Sequence, residues 1–143
     1  MIRKSIINAC NLVINYPLLK ARGNKTYCNF GVDGILRLLG INCFWHKKKQ
    51  RLMLANEMYN EMLESKQWLE IPFKDSIDNT GLVVLASEGN PHGHIAVVYP
   101  IGTCKSYKWK CVCPLVANIG IDNAIMGANW AFWKVPKAFR YMV

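Results

Sequence analysis

Apolar positions in the first half of the chain recur with a helical period. Ile6, Cys10 and Val13 share one face of a helix that should end before Pro17, since proline lacks an N–H and clashes with the preceding turn. After Gly23-Asn24 the pattern resumes. Val32, Ile35, Leu36 and Leu39 stand at the i, i+3, i+4, i+7 spacing, and Gly40 supplies a stop. A third helix is predicted over roughly residues 54–65, with Leu54, Met58 and Met62 along one side and Glu57, Glu61 and Glu64 largely off it.

Beyond Gly81 the pattern becomes strand-like. Leu82 to Ala86 reads as a buried strand and Glu88-Gly89-Asn90-Pro91 as the turn after it. His94 to Tyr99 is a second strand, expected to end at Pro100. Lys108 to Val112 alternates like a half-exposed third strand, and Leu115 to Asn118 is a short fourth. Helices first and strands afterwards predict an α+β domain, with N-terminal helices packed on a mainly antiparallel sheet. Trp130, Phe132, Trp133 and Phe139 are expected to close over that sheet. No repeat or linker divides the chain, so residues 1–143 are read as a single domain.

Composition supports a packed core: 52% of the 143 residues are hydrophobic and only 19% charged, which excludes a disordered chain. The longest apolar runs, near 82–86 and 95–99, fall far short of the about 20 residues of a membrane span. The net charge of +9 is spread, with +5 in residues 1–80 and +4 in residues 81–143. Such a surface favours polyanionic partners, whether nucleic acid, anionic headgroups or cell-wall polymers. Six cysteines are too few for a disulfide framework at this length, and most are read as thiols in a reducing compartment. Met1 to Cys10 begins with positive charge but has no apolar stretch of export-signal length. The expectation is synthesis in the cytoplasm, with another route outward if the substrate lies there.

Two positions carry chemistry. Asn24 or Thr26 can cap the second helix, which puts Cys28 in its first turn. Free N–H groups and the positive end of the helix dipole favour a thiolate there, and the same N–H groups suit an oxyanion. Cys28 precedes Val32 by four residues and so shares its inward stripe. By position alone it reads first as a small buried hydrophobe. Gly31 and Gly34 cost this helix about 1 kcal/mol each relative to Ala, and close approach of another backbone is the expected compensation. The second position is His94, which opens the strand Gly93-His94-Ile95-Ala96-Val97-Val98-Tyr99. Its same-face neighbour is only Ala96, which leaves room beside the ring. A base on a rigid strand opposite a thiol on a rigid helix suits nucleophilic thiol catalysis. His92 sits in the turn and is less fixed.

Tyr27-Cys28-Asn29-Phe30 ahead of an amphipathic helix, followed by Gly93-His94-Ile95-Ala96-Val97-Val98 on a strand, resembles the NlpC-type and CHAP-type cell-wall hydrolases. These are small papain-like cysteine enzymes, and the similarity covers most of the chain in order of elements. The resemblance implies a papain-like core and a single catalytic domain acting as a cysteine peptidase or amidase on peptidoglycan, as a monomer. No metal or other cofactor is implied. It also implies a third polar residue that orients the imidazole. Asn118, at the end of the fourth strand, is favoured for that role, and Asn123 competes. Tyr27 and Trp68 are the candidate substrate contacts. Asn29 departs from the Asp or Ser that often follows the cysteine in these families. The implied chemistry is attack by a Cys28 thiolate, held by His94 and the helix terminus at a lowered pKa, followed by hydrolysis of a thioester.

Two other classes compete. His46-Lys47-Lys48-Lys49-Gln50-Arg51 after Trp45, and Lys105, Lys108 and Lys110 around Tyr107 and Trp109, suit a nucleic-acid-binding module without catalysis. No recognition motif accompanies them, so solvated faces are the simpler reading. Cys104, Cys111 and Cys113 with His92 and His94 suggest a metal site, but Cys111-Val112-Cys113 is tighter than the usual zinc knuckle. A non-hydrolytic papain-like relative is the remaining alternative.

Overall fold

A computed structural model describes residues 3–77, 81–89 and 92–142; Asn90 and Pro91 of the expected turn lie outside the described residues. The helical periods become α1 (Arg3–Ile14), α2 (Cys28–Leu38) and α3 (Ala55–Glu64). Ile6, Ala9, Cys10 and Val13 of α1 are buried, as the spacing requires. In α2 the buried stripe is Cys28, Val32, Ile35 and Leu36. Each of its three aliphatic side chains contributes roughly 1.5–3 kcal/mol on burial, more than the about 1 kcal/mol lost at Gly31 or Gly34. Gly40 stops this helix in the left-handed region (φ 81°) while the Ile41 N–H reaches back to the Leu36 carbonyl at 2.8 Å. In α3 the buried residues are Ala55, Met58 and Met62. Leu54, expected on that face, is half exposed at the N-cap, where its N–H donates to Glu57 Oε1 at 2.8 Å.

The strands are β1 (Trp45–His46), β2 (Arg51–Leu52), β3 (Trp68–Ile71), β4 (Val83–Ser87), β5 (His94–Ser106), β6 (Cys111–Asn118), β7 (Ala124–Gly127) and β8 (Lys137–Tyr141), with a short helix α4 (Ala128–Ala131) between the last two. Among the described residues there are four α-helices, a small β1-β2 hairpin and a six-stranded antiparallel sheet of order β3-β8-β4-β5-β6-β7. The fold is therefore α+β. Along β5 the two faces alternate: Ile95 and Val97 meet the helices, while Ala96 and Val98 join a second cluster with Val116 and Phe132.

Three expectations change. Pro100 does not end β5, because pairing with β4 has already stopped at Val97 and the register with β6 shifts between Tyr99 and Thr103. Lys108 to Lys110 form the tight turn of the β5-β6 hairpin, with Lys110 at φ 56°, and the expected third and fourth strands become the single strand β6. The C-terminal segment enters the sheet as β8 between β3 and β4, which buries Phe139. Phe132 is also buried, whereas Trp130 and Trp133 are 78% and 93% exposed and do not close over the sheet. No described helix is long and apolar enough to cross a membrane.

Candidate active site

The site lies where α2 begins and two adjacent strands present their ends. Neither Asn24 nor Thr26 caps α2; Tyr27 occupies the N-cap without a side-chain bond. The amides of the first turn therefore keep their donors, and those of Cys28 and Asn29 face the Cys28 sulfur. A third amide, that of Ile95, donates to the same sulfur from β5. Ile95 follows His94 directly, so the thiol rests against the peptide that carries the histidine.

Register explains the next contact. Val97 pairs with Ala117, so Asn118 lies across from Ala96 on the face that also bears His94. Because Ala96 is small, Asn118 can reach over it, and its Oδ1 stands 2.7 Å from His94 Nε2. Asn118 Nδ2 donates to the Asp122 carbonyl at 2.8 Å, which fixes the amide with oxygen toward the ring. Oδ1 can only accept, so Nε2 carries the proton and Nδ1 keeps its lone pair. Asn123, the competitor, is occupied elsewhere: it accepts from the Gly120 N–H at 2.9 Å and donates to the Leu19 carbonyl at 2.8 Å.

Several supports escaped the sequence reading. Phe132 packs on the imidazole with ring centroids 4.9 Å apart. Asn56 of α3 donates to the Gly89 carbonyl at 2.8 Å and accepts from its N–H at 3.2 Å, tying the β4-β5 connection to the helix. Asn56 Oδ1 and the Ser87 carbonyl also crowd Gly93, so that a side chain there would collide with both. A glycine before a candidate histidine was visible in sequence, but its partner was not. The backbone expected at Gly31 and Gly34 is absent. Gly31 faces the Ile119 side chain, and Gly34 faces Val13.

A cleft of about 570 Å³ opens beside Cys28 and is lined by Tyr27, Cys28, Asn56, His92 and Gly93 among others; His94 and Asn118 are not among its lining residues. Trp68, expected as a substrate contact, does not reach it. The indole is 5% exposed and packs between Phe44 (5.9 Å) and Tyr141 (5.1 Å), as a strand residue buried by chain-distant aromatics. Cys104 pairs with Cys113 across β5 and β6, and Cys111 Sγ is 3.9 Å from Cys113 Sγ. Among the described residues, however, no group of three or more His, Cys, Asp or Glu side chains is placed to hold a metal ion. No family model matches the chain, and no curated protein matches it significantly.

The electrostatics correct one expectation. Burial pushes the Cys28 thiol up from its ordinary value, against the smaller pull of the Ile95, Asn29 and Cys28 amides. Burial also pushes the His94 imidazole down, with the Asn118 hydrogen bond opposing. Both groups are thus neutral at rest, and the expected resting thiolate is not supported; among the described residues the thiol meets the His94 segment through the Ile95 amide, not through the ring. A stability prediction follows from the lowered His94 value. Below the ordinary imidazole value of 6.5 the unfolded chain takes up a proton that the folded chain resists, so stability is full above 6.5 and declines as pH falls through the lower folded value. Between pH 8 and pH 5 the Tm of the wild type should fall more steeply than that of His94→Gln. Parallel curves would contradict the assignment of a neutral ring held below its ordinary pKa.

Proposed function

We propose that the chain is a cysteine hydrolase of papain-like type that cleaves amide bonds of bacterial cell-wall peptidoglycan, as the similarity to NlpC-type and CHAP-type enzymes implies. The observation that carries this reading is the 2.7 Å contact between His94 and Asn118, beside a helix-terminal thiol that accepts from the very next amide. A half-buried histidine with its Nε2–H held by an amide oxygen and its Nδ1 lone pair free is a base in a fixed orientation.

The reaction runs from the neutral pair. As Cys28 Sγ attacks the substrate carbonyl, its proton passes to His94 Nδ1, and the carbonyl oxygen becomes an oxyanion that the free amides of the first turn can stabilise. His94 then returns the proton to the departing amine as the C–N bond breaks, leaving a thioester on Cys28. Water gives a proton to Nδ1 while its oxygen attacks the thioester carbonyl; collapse releases the carboxylic acid and restores the thiol. Asn118 keeps the ring in one tautomer throughout.

Purified sacculi incubated with the wild type should release new muropeptides detectable by mass spectrometry, whereas Cys28→Ala should release none. The fragment masses name the bond. Intact sacculi from several wall chemotypes under reducing conditions would overturn the reading.

A further inference from the structure

The cleft beside Cys28 is asymmetric in charge. Three cations line it, Lys25 from the loop before α2 and Lys49 and Arg51 from the β1-β2 hairpin, and Glu57 is the only carboxylate among its lining residues. Glu57 is already engaged. Its Oε1 accepts from Arg51 Nη1 at 2.7 Å and from the Leu54 N–H at 2.8 Å, and its Oε2 takes Arg51 Nη2 at 3.3 Å. Lys49 stands at 3.6 Å from the same Oε2 with its side chain still 58% exposed, and Lys25 makes no ion pair among the described residues. One carboxylate thus faces three cations, and with Arg51 holding Glu57 most closely the net positive charge of the cleft lining resides on Lys25 and Lys49. The hairpin that carries Lys49 is fixed relative to the thiol, since Asn29, the residue after Cys28, donates to the Met53 carbonyl at 3.0 Å.

We infer that this wall is an anion subsite in which Lys25 and Lys49 bind a carboxylate on the peptide whose amide bond meets Cys28. The inference rests on the hydrolase reading and adds the substrate's charge class to it. Low-dielectric walls focus the field of the two ammonium groups into the cleft, so the anion is favoured there over the open surface. The group is a carboxylate because it belongs to the peptide being cut. In peptidoglycan such a group is the α-carboxyl of the stem glutamate or the second carboxyl of diaminopimelate, and amidation removes either charge.

The test compares muropeptides that differ only by amidation at the glutamate, or only at the diaminopimelate. The wild type should cleave one carboxylate form about 5- to 10-fold better in kcat/KM than its carboxamide, mostly through KM, in keeping with two partly exposed charge contacts. That ratio should fall to about 1 in Lys25→Gln/Lys49→Gln, persist in Lys25→Arg/Lys49→Arg, and shrink with added salt. Equal rates for both pairs with the wild type, or a preference that survives in the double Gln variant, would overturn the subsite while leaving the hydrolase intact. If the wild type cleaves none of them, calorimetry of the same muropeptides on Cys28→Ala decides separately. Tighter binding of a carboxylate form that the double Gln change removes supports the subsite, and equal or absent binding of both forms overturns it.

Discussion

His94→Gln is expected to lower kcat/KM on muropeptides by at least about 10³-fold while the chain stays folded. Glutamine can reproduce part of the ring's structural role: its amide N–H can still donate to Asn118 Oδ1, now 2.7 Å from His94 Nε2. It has no lone pair basic enough to take the Cys28 proton. That loss is severe because burial holds the thiol pKa above its ordinary value, so little thiolate forms without a base. Asn118→Ala should cost less, roughly 10- to 100-fold, because it frees the ring to rotate and exchange tautomers without removing the base. The two variants also separate in pH. In the wild type and in Asn118→Ala, kcat/KM should fall on the acid side as His94 gains a proton, below 6.5 in the wild type, where burial lowers its pKa. Residual activity of His94→Gln should lack that limb. Steady-state kinetics from pH 5 to pH 9 would check this, and a His94→Gln rate within 10-fold of wild type would remove His94 from the mechanism.

The helical half of the chain was legible because its information is local. Ile6, Cys10 and Val13, or Val32, Ile35 and Leu36, need only a period to declare a face, and each is buried on that face. Cys28 and His94 could be singled out for the same reason, one at a helix start and the other at a strand start. What brings Asn118 to His94 is not local. It depends on the register of β5 with β6, on the smallness of Ala96, and on the Asp122 carbonyl that turns the amide. The resemblance could therefore favour Asn118 over Asn123 but not decide between them, and only the first meets the ring. Trp68 failed for a related reason. Phe44 and Tyr141 arrive from distant parts of the chain and bury it, which no local pattern around Trp68 announces. The protonation of Cys28 was misjudged because a helix terminus can be read from sequence, whereas the burial that outweighs it cannot.

Gly31→Ala tests how tightly α2 holds the candidate site, and it should destabilise the protein although alanine is the better helix former. A Cβ at position 31 would lie 2.8 Å from Ile119 Cβ and closer still to its Cγ1. The obstacle is the branched base of a side chain that is 2% exposed, not a flexible tip, so either α2 or the strand end must move. Overpacking of this kind costs about 1–3 kcal/mol and the gain in helix propensity returns about 1 at most. The net loss should be about 1–2 kcal/mol, a fall in Tm of about 4 °C. Activity should suffer more than stability, because Ile119 lies between Asn118 and Gly120, and a Cβ on Gly120 would come within 3.7 Å of His94 Cε1. A shift of Ile119 displaces the group that orients the base. Gly34→Ala is the control: the nearest atom to its Cβ is Val13 Cγ2 at 3.6 Å, an ordinary contact, so it should be neutral or stabilising by up to about 1 kcal/mol. Ile119→Ala opens the space that Gly31→Ala fills. The double variant should therefore be more stable than the two single changes predict by about 1–2 kcal/mol in thermal or urea unfolding. Strict additivity would mean that α2 relaxes away from Ile119 at no cost, and that the close approach at Gly31 does not hold the site together.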